Sequence, residues 1–159
     1  MRSTALRALL TVAVLPALLI AFASSASGVT WWSQSKPLIV REDGVGQGKA
    51  FGNFYNSEST YAKNKATYAD MRPGGDAVRV ETDFQYYEHN ATCGQVGTCW
   101  ITSASKQTES TTSSSWKTHT RSRRLSGNSS TARGHIDICE IQAWSNDPCS
   151  AKALPSFGY

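Results

Sequence analysis

The sequence predicts an all-β domain, an antiparallel sandwich or small barrel of six to seven strands held by two local disulfides. Three observations carry this. In Ala77–His89, AVRVETDFQYYEH, the residues Val78, Val80, Thr82, Phe84 and Tyr86 alternate with Arg79, Glu81, Asp83 and Gln85. β-Branched and aromatic residues at a spacing of two make a half-buried strand, and this one is central because segments on both sides can pair with it. Shorter segments of the same kind recur between glycine- and proline-rich turns, without a long helical pattern after residue 26. Finally, the four cysteines fall in two short turn-rich loops.

The first residues read as an export signal. Arg2 and Arg7 precede the apolar run Ala8–Ala23, which only Thr11 and Pro16 interrupt, and small residues follow to Ala26. A membrane anchor is the competing reading, but the run is short and contains a proline. Cleavage is expected after Ala26 or Ala23, giving residues 1–26 as signal and 27–159 as one secreted domain. No cysteine near that site suggests a lipoprotein, and Leu154-Pro155 is followed by neither a sorting pattern nor an apolar tail. The expectation is a released, extracellular protein without a stable membrane anchor. Removing 26 of 159 residues leaves 133, enough for one domain with a real core. The signal carries two arginines and no acids, so the net charge falls from +4 to +2.

In order, Gly28–Lys36 reads as a loose lead-in. Its adjacent Trp31 and Trp32 cannot share a strand face, so one packs and the other stays exposed. Pro37–Glu42 and Lys49–Asn56 read as a hairpin around the turn DGVGQG at 43–48, with Gly52 able to supply a bulge. Ser57–Met71 is ambiguous: Tyr61, Lys65 and Tyr68 have helical spacing, whereas Ala62, Asn64, Ala66 and Tyr68 fit a strand. The β-like flanks favour strand or irregular structure. Arg72-Pro73-Gly74-Gly75-Asp76 is a strong turn into the central strand. Cys99–Thr108 returns as a strand. From 102 to 131, seventeen of thirty residues are Ser or Thr. Disorder is one reading, but threonine favours strands, and Ser115–Arg124 is read as one, with a loop at Leu125–Ser130. In Thr131–Trp144, Ile136 and Ile138 share one face and Cys139 and Ile141 the other, which signals full burial or a bulge near Glu140. The tail after Cys149 is short and aromatic-tipped.

An even cysteine count behind an export signal reads as two disulfides. Three connectivities are possible. Cys93–Cys99 and Cys139–Cys149 are favoured because each pair brackets a turn-rich loop, and each closure stabilises by about 2–3 kcal/mol. Neither spacing is a zinc-ligand spacing, and the sequence has no calcium-loop pattern and no His-x-x-x-His. No metal and no cofactor are expected. Asn90-Ala91-Thr92 and Asn128-Ser129-Ser130 are glycosylation sequons where the host glycosylates them.

FYN at 54–56, RPGGDAVRVETDF at 72–84, CGQVGTCW at 93–100 and ARGHIDICEIQAWSNDPCS at 132–150 resemble a class of small secreted actinobacterial proteins of unassigned function. The resemblance spans most of the chain after residue 26. It implies a secreted, disulfide-bearing β-domain and carries no catalytic residue to any position here.

One stretch points to binding. Lys117, His119, Arg121 and Arg123 lie at a spacing of two, and so share a face if Ser115–Arg124 is extended. Segment 102–131 holds five Lys or Arg against Glu109 alone. With Trp116 beside it, such a stripe suits an anionic polymer or cell-surface component, whereas the sequence names no protein partner. The competing reading is a solvated edge strand whose charges block edge-to-edge pairing. An alternative from another class is a small hydrolase or toxin, most concretely a ribonuclease, in which His135 and Asp137 share a face as base and orienting carboxylate. His89 and His119 are the other histidines, and Glu88 cannot serve His89 because strand neighbours point to opposite faces. Trp31, Trp32, Tyr86, Tyr87 and Trp144 are candidates for stacking on a sugar.

Overall fold

The computed structural model describes residues 28–144 and 146–159, so the expected signal at 1–26 lies outside the described residues. The described residues form nine strands: β1 (Gly28–Trp31), β2 (Leu38–Glu42), β3 (Val45–Ser57), β4 (Tyr61–Asp70), β5 (Ala77–His89), β6 (Thr98–Gln107), β7 (Lys117–Arg124), β8 (Thr131–Ile141) and β9 (Ser156–Gly158). A short 3-10 turn, Ala91–Val96, joins β5 to β6. Two antiparallel sheets result. In one, β3 pairs with β4 and β4 with β7, while β2 and β1 share the other side of β3. In the other, the order is β6-β5-β8-β9. The sheets pack face to face as a sandwich, with β4 across β5 and β3 across β8, and neither closes into a barrel.

The central strand behaves as its alternation requires. Val78, Val80, Thr82, Phe84 and Tyr86 are all buried, and β6 and β8 pair on either side. Phe54, Ala62, Ala66 and Tyr68 meet them from the opposite sheet, while Ile136, Ile138 and Phe157 join them from β8 and β9 of the same sheet. A buried polar chain crosses the layers: the indole Nε1 of Trp31 donates to Asn64 Oδ1 at 2.9 Å, and Asn64 Nδ2 donates to Thr82 Oγ1 at 2.8 Å. Burying these groups is tolerable only because they satisfy one another.

Four expectations change. Gly28–Lys36 is not all lead-in, because its first four residues form β1; Trp31 packs and Trp32, at φ 66°, stays exposed. The tail forms β9 and buries Phe157. Neither strand alternates visibly, since one is mostly exposed and the other three residues long. The turn after β2 is only Asp43-Gly44, at φ 48° and 79°, with Glu42 opposite Val45. Positive φ at both central residues is the hairpin geometry that Asp-Gly favours. The bulge lies between Val40 and Arg41, whereas Gly52 stays in register and leaves room for Trp31.

The Ser/Thr-rich run is ordered by the backbone. Thr108 and Thr111 bond to Val80 and Val78, continuing the edge of β5 where β6 stops. Ser113 then receives the Asp70 N–H as the chain crosses to the other sheet. Both disulfides form as expected, Cys93–Cys99 and Cys139–Cys149. Among the described residues, no helix is long and apolar enough to cross a membrane. The disulfides fit an oxidising compartment.

Candidate functional site

Register fixes where the cationic stripe points. Lys117, His119, Arg121 and Arg123 stand opposite Tyr68, Ala66, Asn64 and Ala62, all of which face the core. The stripe therefore occupies the inner side of β7 at the edge of its sheet, where the sandwich is open and β6 runs across from it. Arg121 Nε donates to the Gln107 carbonyl and Arg123 Nε donates to Ser103 Oγ at 3.0 Å, so both guanidiniums bridge the seam to β6. His119 Nε2 lies 3.7 Å from Glu109 Oε2 and its ring centroid 6.0 Å from that of Tyr68. Burial pushes the Tyr68 hydroxyl up, and that hydroxyl donates to the Glu109 carbonyl. Lys106, on β6 opposite Thr82, joins the same seam.

Trp116 is not part of this row. It sits on the outer face of the sheet, edge-on to Phe51 at 5.2 Å, with Lys49 Nζ 4.7 Å from its ring centroid. That face extends the basic region. Because Ala62, Asn64, Ala66 and Tyr68 point inward, Lys63, Lys65 and Thr67 point outward, next to Tyr55, Asn53 and Phe51 of β3 and to Ser122, Thr120 and Thr118 of β7. Arg124 stands opposite the exposed Tyr61. None of the residues that β3, β4 and β7 place on this face is acidic. Lys49, Lys63 and Lys65 are members of the surface that the stripe alone does not reveal. Their signal is the parity of β4 and β3, readable once Tyr61–Asp70 is taken as a strand.

The opposite outer face has the other character. Glu81, Asp83 and Asp137 gather there, largely neutralised: Arg79 binds Glu81 at 2.8 Å and Asp147 at 3.1 Å, and Lys152 binds Asp137 at 3.2 Å. Among the described residues, every Lys or Arg with a carboxylate partner lies on this side. Lys49, Lys63, Lys65, Lys106, Lys117, Arg121, Arg123 and Arg124 have none; nor do Lys36, Arg41, Arg72 and Arg133, of which Arg133 stands on the acidic face and bonds Gln85. The small net charge thus conceals a segregated one.

The catalytic candidate changes partner. His135 and Asp137 do share a face, but Asp137 is taken by Lys152 and is buried, which pushes its carboxyl up. The carboxylate nearest His135 is Asp83, its cross-strand neighbour, with Oδ2 at 3.5 Å from Nδ1. Glu81 and Asp137 on the same face are taken up by Arg79 and Lys152, which leaves Asp83 as the carboxylate that can orient this histidine. The stacking candidates scatter: Trp31 and Tyr86 are core, while Trp32, Tyr87 and Trp144 are exposed. Asp137, Cys139 and Cys149 bring ligand atoms within 4.8 Å of one another, but both sulfurs are bound in the disulfide and offer no thiolate. Comparison with protein-family models, curated proteins and solved structures found no match.

Proposed function

We propose that the protein is exported and acts outside the cell as a non-enzymatic binding module for an anionic polymer or cell-surface component. The binding surface is the basic region that wraps β7, from the seam with β6 to the outer face of β4 and β3. The observation that carries this reading is the row of cations on β3, β4 and β7 that have no carboxylate partner and share their outer face with no acid. Edge protection accounts for charges on β7, which has a free side. It does not account for Lys63 and Lys65, because β4 is paired on both sides. A patch of one sign raises the local concentration of an oppositely charged polymer, and exposed aromatics such as Tyr61 add stacking surface.

Retention on heparin, with a neutral polysaccharide as control, tests the reading. Lys63→Ala/Lys65→Ala is expected to lower the eluting salt more than Arg121→Ala/Arg123→Ala, whose guanidiniums already serve β6. Equal elution of wild type and both variants would overturn it.

A second reading follows from His119. It stands beside Glu109 and Arg121 inside the basic seam, an acid/base pair with a cation at hand, and so fits a small ribonuclease better than His135 does. Cleavage of RNA by the wild type, lost in His119→Ala with heparin retention unchanged, would favour it over binding alone.

A further inference from the structure

The basic outer face ends beside a pocket. Parity puts Tyr61 and Arg124 on that face, opposite one another in register, with Lys63 next along β4. There the β3–β4 turn and the loop after β7 enclose about 410 Å³, within the usual range of small-ligand sites. The two loops are tied to each other and to the core. The Leu125 N–H donates to the Thr60 carbonyl at 2.9 Å, the Tyr86 hydroxyl to the Arg124 carbonyl at 2.7 Å and the Tyr159 hydroxyl to the Ser126 carbonyl at 2.9 Å. Leu125 and Tyr159 pack against the core and wall the pocket with apolar surface. A site tied down in this way loses little entropy when a ligand arrives.

The polar groups of the lining are of two kinds. Among the described residues, the Arg124 guanidinium and the Ser59 hydroxyl have no hydrogen-bond or ion-pair partner. The other hydroxyls have committed their protons: Thr60 donates to the Glu58 carbonyl, Ser126 to Glu88 Oε2 and Ser129 to the Tyr87 carbonyl. Each of these still offers a lone pair. Glu88 itself does not line the pocket. A bare phosphate or sulfate would satisfy Arg124 and set its own lone pairs against those acceptors. A sugar ring bearing a carboxylate satisfies both kinds, because its hydroxyls donate and its planar carboxylate matches the guanidinium fork. The turn adds an independent observation. Glu58 and Ser59 stand at φ 56° and 49°, closed by the Thr60 N–H on the Ser57 carbonyl at 3.0 Å. Asp43-Gly44 meets the same demand with a glycine, whereas here a serine is held in its place. Strain that glycine would remove points to a use for the Ser59 side chain.

We propose that this pocket is a subsite for an acidic sugar, a hydroxylated ring carrying one carboxylate. Arg124 takes the carboxylate, the hydroxyls of Ser59, Thr60, Ser126 and Ser129 meet those of the ring, and Leu125 and Tyr159 cover its C–H face. The inference rests on the anionic-polymer reading and narrows it to an acidic polysaccharide, whose chain runs from the pocket past Tyr61 to Lys63 and Lys65. Along that path the lysines supply charge, and the pocket supplies recognition of the sugar.

Amide NMR titration of the purified, oxidised protein with methyl galacturonide tests the subsite. Methyl galactoside, which lacks the carboxylate, and acetate, which lacks the ring, are the controls. The expected Kd is roughly 1 mM for a ligand of this size. Shifts should centre on Ser59, Thr60 and the loop 125–129, and both controls should bind about tenfold more weakly. Arg124→Ala should weaken binding about tenfold or more. Ser59→Gly should weaken it about threefold while raising Tm by about 2 °C, because glycine relieves the positive φ. A serine with only a structural role would not give that combination. Heparin retention is measured alongside. Retention without pocket shifts at about 20 mM methyl galacturonide, twentyfold above the expected Kd, would overturn the subsite and leave the polymer reading standing. Shifts unchanged in Arg124→Ala, or acetate binding as well as the sugar, would also overturn the subsite. Loss of both retention and shifts would overturn the two together.

Discussion

Replacing Asn64 by alanine tests the internal frame on which the basic face stands. Asn64 lies on β4 between Lys63 and Lys65, and its side chain links Trp31 of β1 to Thr82 of β5. Deleting it leaves the buried indole N–H of Trp31 without an acceptor, at a cost of about 1–3 kcal/mol, and forfeits about 1 kcal/mol from the bond to Thr82. A total loss of roughly 2–4 kcal/mol should lower Tm by about 10 °C for a domain of this size. Urea or thermal unfolding measures it. Trp31→Phe removes the orphaned donor, so it should cost less in the Asn64→Ala background than alone, with a coupling of about 1 kcal/mol or more. The reasoning extends to function: a slip of β4 by one residue would turn Lys63 and Lys65 inward, and Asn64 is the inward polar anchor that forbids it. A loss under about 0.5 kcal/mol, or strict additivity of the two substitutions, would refute the network.

Three further outcomes follow from the packing. Gly52→Ala should destabilise by about 2 kcal/mol or more, because a Cβ there collides with the Lys65 carbonyl and with Trp31, and the backbone clash remains in Trp31→Ala; unfolding of the single and double variants checks it. Cys139→Ser/Cys149→Ser should cost about 2–3 kcal/mol by loop-closure entropy across ten residues, measurable under oxidising conditions as a fall in Tm against the wild type; added thiol lowers it further only through the remaining Cys93–Cys99 bridge. Burial pushes the Asp137 carboxyl up while Lys152 opposes the shift. A raised native value means the folded state holds the proton more tightly, so this group's contribution falls as pH rises from the ordinary carboxylate range through that value. Lys152→Met removes the opposing charge and should lower stability at pH 7 by about 0.5–1 kcal/mol, a modest figure because Lys152 is nearly half exposed. The difference should vanish below about pH 4, where the carboxyl is protonated in both states; unfolding at both pH values measures it.

What was legible in the chain was parity and proximity. The alternation of Ala77–His89 fixes an inward face, and short spacing pairs the cysteines. Parity also places Lys117, His119, Arg121 and Arg123 together. What stands across from that face is not a local property: that β6 receives Arg121 and Arg123 depends on how two sheet edges meet. The same limit applies to His135, whose nearest carboxylate is fixed by cross-strand register with Asp83 and not by its neighbour two residues on. Lys63 and Lys65 were hidden by the double periodicity of Ser57–Met71, which suits a helix and a strand equally until pairing with β3 and β7 decides. Glu140 carried a trace of itself in the face switch near Cys139, and full burial is the outcome. β1 and β9 left no pattern, because short strands at sheet margins gain their order from the partner strand rather than from their own side chains.

The most direct test of a segregated basic surface is the salt dependence of heparin affinity for wild type, Lys63→Ala/Lys65→Ala and Glu81→Gln/Asp83→Asn. Affinity should fall linearly in log–log form as counterions are released, and loss of the two lysines should reduce that slope by about 1.5–2. The carboxylate variant, altered on the opposite face, should keep the wild-type slope to within about 0.5. A slope unchanged by the loss of Lys63 and Lys65, or altered as much by the Glu81/Asp83 variant, would contradict the assignment of binding to this face.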